Sequence, residues 1–190
     1  MNDNQNIFDS FSLRLSDSSE EIRYQAVKDL VEQEVPMAIP FLIKMLGDDS
    51  FRIREEVQTT ICSFPVQIIF PKLKEVLEHH PDARSRSSVM EIIPQYGEDA
   101  TPYLLDLLNS PDEKVRMYSV LMLGKIEDSE SVDELIKILT DDDSNVVHCA
   151  IETLGFIGDG RANCICIEIA AFKAYIYKDG CRTSAFDDIG

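Results

Sequence analysis

Apolar residues recur at helical spacing in four segments that begin 31 residues apart, at Leu42, Leu73, Leu104 and Leu135. Each segment carries apolar side chains at positions i, i+3 and i+4, which together form one face of an α-helix. A fixed period of this length indicates a stack of similar supersecondary units, because no single unit can bury its apolar face alone. The four apolar triplets are Leu42, Met45 and Leu46; Leu73, Val76 and Leu77; Leu104, Leu107 and Leu108; and Leu135, Ile138 and Leu139.

A second apolar stripe follows each triplet and predicts a second helix in every unit. We call the first helix of a unit helix A and the second helix B. Helix B is counted from a position near its start, occupied in turn by Arg23, Arg54, Arg86, Arg116 and Val147. Its buried stripe is predicted one residue before, three residues after and seven residues after that position. The predicted core residues are Ile22, Ile53, Ser85, Val115 and Val146; Ala26, Val57, Val89, Ser119 and Ala150; and Leu30, Ile61, Ile93, Leu123 and Leu154.

Polar turns and helix-breaking residues set the predicted ends of these helices. The turns between helix A and helix B are rich in Asp, Ser and Pro, and we expect them to supply N-caps for helix B. Pro40, Pro71 and Pro102 lie near the predicted start of helix A, where a missing N–H group costs little. The residues predicted to break or end helix B are Pro94, Gly124 and Gly155.

The pattern divides the chain into a repeat region, residues 1–160, and a different C-terminal segment, residues 161–190. The stretch from Ile7 to Leu15 fits the register of helix A but is more polar, as expected of a capping helix. The repeat region is predicted to be all-α, with five helix pairs at about 7–33, 38–63, 68–96, 100–127 and 131–158. After Asp159 the periodic Leu positions disappear while the apolar content rises. Three interpretations stay open for that segment: a cap helix, a dimerisation element, or a non-native or disordered tail.

The repeat is clearest in residues 112–128, which begin Asp-Glu-Lys-Val-Arg, and in residues 146–159, which end Leu-Gly-Phe-Ile-Gly-Asp. Over residues of about 7–160 the pattern resembles the HEAT repeat, specifically the short bacterial HEAT-like repeats of the phycobilisome-lyase type. This resemblance implies a right-handed α-solenoid, with the A helices on the convex side and the B helices lining a concave groove. It implies little about function, because one scaffold hosts many activities.

The charge of the chain restricts its partners. Lys and Arg number 18 against 35 Asp and Glu, which gives a formal net charge of −17. Such an acidic surface repels the phosphate backbone and anionic lipids, so we expect no nucleic-acid or membrane partner. The sequence has neither a signal-peptide pattern nor an apolar run of membrane-spanning length, which predicts a cytoplasmic protein. The five Cys form an odd set without framework spacing, which favours free thiols.

Catalytic and metal-binding motifs are scarce. No His is followed by Glu, so the two-iron chemistry of HEAT-like deoxyhypusine hydroxylases has no residues to carry it. His79 and His80 lie in a predicted inter-helix turn, where a solvated loop is the expected role. Cys164 and Cys166 with Cys181 cannot complete a local four-ligand zinc site. We therefore expect no catalytic residue, no cofactor and no metal.

Two further patterns are interpreted as structural. Asp141, Asp143, Asn145 and Glu152 occupy four positions of an EF-hand-like loop, but Val146 stands where that loop needs Gly. This segment is therefore predicted to cap helix B of the fifth unit. The four arginines that begin the first four B helices are predicted to reach acidic turns, including Asp17 and Asp48, rather than to form a basic binding ladder. These arginines are Arg23, Arg54, Arg86 and Arg116.

The exposed face of the B helices holds the predicted binding residues. In the fourth unit this face carries Met117, Tyr118 and Leu121, an apolar patch in a row of otherwise polar units. Apolar clusters with a polar rim mark contact sites, whereas tighter packing of the fourth unit would bury the same patch. Both interpretations stay open. The predicted binding residues are Tyr24, Glu55, Glu56, Glu91, Met117, Tyr118, Leu121, His148 and Glu152.

These features favour a non-catalytic protein–protein interaction scaffold, whose groove binds a basic or amphipathic segment of another protein. The family resemblance alone suggests an alternative, a bilin lyase-like or chaperone-like protein. A DNA-glycosylase-like HEAT protein would need a basic groove, which the net charge of −17 opposes. The partner and the oligomeric state cannot be predicted from the sequence.

Overall fold

A computed structural model describes residues 3–33, 35–79 and 82–161, which contain ten α-helices and no strand. Short turns join the helices into five successive pairs, each made of one helix A and one helix B. The pairs are α1 (Asp3–Arg14) with α2 (Glu20–Leu30), α3 (Val35–Met45) with α4 (Phe51–Cys62), α5 (Val66–His79) with α6 (Ala83–Ile92), α7 (Thr101–Leu107) with α8 (Glu113–Ile126), and α9 (Val132–Ile138) with α10 (Ser144–Ile157).

Neighbouring pairs pack against each other along the chain. Helix α2 contacts α4, α4 contacts α6, and α8 contacts α10, while α3 contacts α5 among the A helices. The predicted all-α solenoid is therefore confirmed. A stack of this kind buries one continuous core shared between adjacent units, and here that core extends from Phe11 to Leu154.

The predicted apolar stripes form this core. All residues of the three predicted helix B positions are buried except Ile22, which is 42% exposed. That prediction was wrong: Ile22 belongs to the first pair, which in the described part of the chain contacts a neighbouring pair on one side only. The four apolar triplets of the A helices are also buried, apart from the half-buried Ile138.

Acidic and hydroxyl side chains cap α4, α6, α8 and α10 as predicted, whereas the side chain of Ser19 before α2 accepts no capping hydrogen bond. Asp82 accepts hydrogen bonds from the amides of Arg84 and Ser85 at the start of α6, and Asp112 accepts one from Lys114 at the start of α8. Ser50 plays the same part for α4. These caps satisfy amides that have no partner inside the helix.

Two A helices begin earlier than predicted, at Val35 and Val66, so that Pro40 and Pro71 lie inside α3 and α5. A proline inside a helix removes one hydrogen bond and usually destabilises it. Burial of the apolar residues before each proline favours the longer helices, since Ile39 and Phe70 are both buried. Pro102, by contrast, lies in the first turn of α7, as predicted.

The two glycines predicted to end helix B lie inside α8 and α10 instead. The residues with left-handed backbone conformation that follow these helices are Glu127, with φ of 58°, and Gly158, with φ of 68°. Gly124 has a packing role: a Cβ atom placed there would lie 3.0 Å from Cγ2 of Thr153 on α10. Its missing side chain therefore allows α8 and α10 to approach closely.

The middle unit ends as predicted. Helix α6 stops at Ile92, and Pro94 is the second residue of a 3-10 segment, Ile93–Ala100, that leads into α7. The C-terminal segment predicted to be atypical lies outside the described residues from position 162 onward, as do Cys164, Cys166, Cys181 and His80. The three interpretations of that segment stay predictions.

Candidate functional site: the exposed face of the B helices

Arginines at the start of the B helices join neighbouring units. Arg23 donates to both carboxylate oxygens of Asp48 in the next turn, at 2.8 and 3.0 Å, and to the carbonyl oxygen of Asp17 at 2.9 Å. Arg116 makes the same contacts with Asp141, both at 2.7 Å, and with the carbonyl of Ser110 at 2.9 Å. The hydrogen bond between Arg116 and Asp141 raises the pKa of the guanidinium and lowers the pKa of the carboxyl.

The other two arginines of this series are also engaged. Arg54 donates to the carbonyl oxygens of Asp48 and Asp49, at 2.6 and 3.1 Å, and its guanidinium lies 5.7 Å from the ring of Phe51. Arg86 is likewise engaged with the rest of the protein. The prediction that these arginines are structural is therefore confirmed for Arg23, Arg54 and Arg116, which bind turns of the same or the next unit.

Tyr24 and Glu56, two predicted binding residues, contact each other between the first and second pairs. The Tyr24 hydroxyl donates to Oε2 of Glu56 at 3.0 Å, and the guanidinium of Arg52 lies 3.6 Å from the centre of the Tyr24 ring. Arg52 in turn donates to Glu21 at 2.9 Å. These polar groups already have partners, so they offer less to a ligand than the sequence suggested.

Two carboxylates on the second and third B helices remain more accessible. Glu55 on α4 is exposed, and its carboxylate has no partner among the described residues. Glu91 on α6 is exposed and accepts a hydrogen bond of 3.0 Å from the amide of Gln58 on α4. Both contribute negative charge to this face of the protein.

The apolar patch of the fourth unit is half-buried. Met117, Tyr118 and Leu121 all lie on α8, and Met117 and Tyr118 pack against the core. Ser119, which lies between Tyr118 and Leu121 in the sequence, is buried and donates a hydrogen bond to the carbonyl oxygen of Leu104. Packing therefore covers part of the patch and leaves part of it on the surface.

The two polar residues predicted on the next helix are exposed. Nε2 of His148 lies 3.3 Å from Oε1 of Glu152, and the two side chains are 70% and 57% exposed. Both residues stand on α10, which packs against α8 through the Gly124–Thr153 contact. The predicted binding residues thus lie on five different B helices: Tyr24 on α2, Glu55 and Glu56 on α4, Glu91 on α6, the apolar patch on α8, and His148 and Glu152 on α10.

The acidic segment before α10 is occupied by structural contacts. Asp143 accepts hydrogen bonds from the amides of Asn145 and Val146, so the predicted N-cap is confirmed, and Asp141 binds Arg116. Within residues 3–33, 35–79 and 82–161, no group of three or more His, Cys, Asp or Glu side chains is placed to hold a metal ion. Cys62 and Cys149 are free thiols, and burial raises the pKa of each.

The sequence patterns missed a cleft between α3 and α5, with a volume of about 340 Å³. Its floor is aliphatic and its rim is polar. A signal for it was present in the repeat, because Lys72 occupies the position that aromatic residues hold in the units on either side, Phe41 and Tyr103. The lining residues are Ile39, Pro40, Ile43, Lys72, Glu75, Val76 and His79.

None of the helices in the described part of the chain is long and apolar enough to cross a lipid bilayer. No curated protein matches this chain. Among solved structures, an engineered protein from the Northeast Structural Genomics Consortium is 19% identical, with 97% of this chain and 92% of that chain covered and a TM-score of 0.38. A designed armadillo repeat protein in complex with the peptide (KR)4 is 15% identical, with 93% of each chain covered and a TM-score of 0.40.

The comparison with protein families is more informative. Residues 101–164 match the family model of HEAT repeats, a range that includes α7, α8, α9 and α10. The same alternation of helix A and helix B, with the same buried positions, continues back through the three earlier pairs. The phycobilisome-lyase type of repeat stays a prediction. Over residues 101–164 the chain is therefore similar to HEAT repeats.

Proposed function

We propose that this protein is a non-catalytic scaffold whose B-helix face binds a basic or amphipathic segment of another protein. A HEAT-like repeat scaffold suggests a protein-interaction role in general. The observation that carries the specific proposal is the half-buried patch of Met117, Tyr118 and Leu121 on α8, which packs against α10 with its exposed residues His148 and Glu152. Tyr and Met are common in contact sites, where a partner removes the rest of their surface from water.

The charge of the face supports a basic partner. Exposed carboxylates are present on three B helices, at Glu55, Glu91 and Glu152, and the whole chain carries −17. Attraction between complementary charges accelerates association. Salt weakens this attraction, because ions screen exposed charges over about 8–10 Å. A partner segment with an apolar side chain that contacts the patch on α8, and with basic residues on either side of it, would match both the patch and the carboxylates. The bilin lyase-like role stays a prediction from the family resemblance alone.

Affinity capture with two forms of the full chain tests the proposal. The wild-type protein and a variant with Tyr118→Ala and Leu121→Ala are immobilised at equal density, and the captured proteins are compared by quantitative mass spectrometry. The proposal predicts that at least one protein is captured by the wild type at low salt but not by the double variant. Equal recovery of every captured protein by the two forms would contradict the assigned site.

A further inference from the structure

Aromatic rings join the A helices at two of the junctions between units. Phe8 on α1 packs against Phe41 on α3, with ring centres 4.6 Å apart, and Phe70 on α5 packs against Tyr103 on α7 at 4.7 Å. Each pair joins residues 33 positions apart in the sequence. The two pairs are therefore equivalent positions of the repeat at the first and third junctions.

The junction between them lacks this aromatic pair. The equivalent positions on α3 and α5 are Ile39 and Lys72, which are also 33 positions apart. Both residues line the cleft of about 340 Å³ between the two helices. An aliphatic and a cationic side chain here leave open the space that two rings fill at the neighbouring junctions.

We propose that this cleft binds an aromatic side chain of a partner protein. The ring would take the place that Phe41 and Tyr103 take in the flanking units, against the aliphatic floor of Ile39, Ile43 and Val76. A volume of this size is at the lower end of the range for ligand pockets, which are mainly apolar with a few polar groups. The inference does not depend on the B-helix face, because the cleft lies between A helices.

The rim of the cleft favours an aromatic ring over an aliphatic chain. The ammonium group of Lys72 lies 2.8 Å from Oε2 of Glu75, and the Lys72 side chain is 55% exposed, so the cation can lie over the face of a bound ring. The protein already uses such a contact elsewhere, since the guanidinium of Arg52 stacks on Tyr24 at 3.6 Å. Because Lys72 and Glu75 form an ion pair, their charges balance. The cleft therefore selects a bound side chain by its aromatic ring rather than by its net charge.

Nuclear magnetic resonance titration of the full chain tests this inference, with N-acetyl-tyrosinamide as the probe and N-acetyl-leucinamide as the control. The tyrosine probe is expected to shift backbone amide signals of α3 and α5 in a saturable way and to bind at least about threefold tighter than the leucine probe. Ile39→Phe, which places a ring where Phe8 and Phe70 stand, is expected to weaken tyrosine binding by about tenfold or more. Ile43→Phe serves as a second filling variant if Ile39→Phe does not fold.

Three results would overturn the inference. The first is the absence of saturable shifts in α3 and α5, and the second is equal binding of the two probes. The third is self-association of the chain, measured by sedimentation velocity, that Ile39→Phe abolishes, because the occupant would then be a second copy rather than a partner. Lys72→Ala separates the contribution of the cation from that of the shape of the cleft. This variant should bind the tyrosine and leucine probes equally, because the cation is removed while the cleft stays open.

Discussion

Arg116 donates two hydrogen bonds of 2.7 Å to the carboxylate of Asp141 and thereby ties the fourth helix pair to the turn of the fifth. Arg23 and Asp48 repeat this relationship between the first and second pairs, with the same atoms. In both pairs the arginine side chain is 15% exposed and the aspartate side chain 8%. The same bidentate contact therefore joins the first pair to the second and the fourth pair to the fifth.

We predict that Arg116→Ala destabilises the protein substantially. The substitution leaves the Asp141 carboxylate, which is largely shielded from water, without its cation, and the loss of charged hydrogen bonds of this kind costs about 2–4 kcal/mol. Urea unfolding followed by circular dichroism at neutral pH measures the change. Lys137→Ala is the matched control, because the ion pair of Lys137 with Glu134 is exposed and should contribute less than about 0.5 kcal/mol. Similar losses in the two variants would contradict the assignment.

The same contact predicts a loss of stability in acid. The hydrogen bond from Arg116 lowers the pKa of Asp141 in the folded state, so its stabilising contribution is complete above the carboxyl pKa of the unfolded chain, about 3.9. That contribution falls as the pH drops through the lowered pKa, because the unfolded chain then binds more protons. Asp141→Asn should therefore lose less stability than the wild type between about pH 5 and about pH 3. Parallel pH dependences of the urea midpoint would contradict this prediction.

Substitution of Ala for two glycines at equivalent helix positions should change the stability of the protein in opposite directions. Gly124→Ala places a Cβ atom 3.0 Å from Thr153 and should cost about 1–3 kcal/mol through overpacking. Gly155→Ala meets nothing within 4 Å, so the better helix propensity of Ala should stabilise α10 by up to about 1 kcal/mol. Thermal unfolding of both variants, and of Gly124→Ala combined with Thr153→Ala, provides the measurement. The combined variant should recover part of the loss, and destabilisation by Gly155→Ala to the same extent would refute the packing role of Gly124.

Sequence periodicity predicted the features of this fold that are set within a single helix, such as its buried face and its N-cap. The spacing of Leu42, Met45 and Leu46 identifies the buried face of α3, and Asp143 is recognisable as a cap from its place before an apolar helix. Contacts between units were harder to predict, because they join residues that are distant in the sequence. The stacking of Arg52 on Tyr24 depends on the relative rotation of α2 and α4, which no local pattern records.

The same limit explains the errors inside helices and at the candidate site. A local rule assigns a glycine such as Gly124 to a helix end, whereas Gly124 lies inside α8, where it allows close approach of Thr153 on another helix. Pro40 was assigned to a helix start because its cost inside a helix is visible in the sequence, while the burial that offsets this cost is not. The binding residues were predicted from exposure alone, so internal partners such as that of Glu56 could not be anticipated.

Salt should weaken partner binding through the carboxylates of the B-helix face. If the partner segment is basic, its affinity should fall as ionic strength rises, because the exposed charges of Glu91 and Glu152 are screened. Glu91→Gln combined with Glu152→Gln should lower both the affinity and its salt dependence. Association kinetics at several salt concentrations measure the effect, and a salt-independent rate constant would exclude a basic partner.

Isothermal titration of the captured partner against the wild type and the Tyr118→Ala, Leu121→Ala double variant tests the central claim most directly. If the patch on α8 is the contact site, the double variant should bind more weakly by about 1–4 kcal/mol while its circular dichroism spectrum stays helical. Phe51→Ala removes another exposed aromatic side chain, 67% exposed at the start of α4, and should leave the affinity unchanged. Equal affinities for the wild type and a folded double variant would contradict the account.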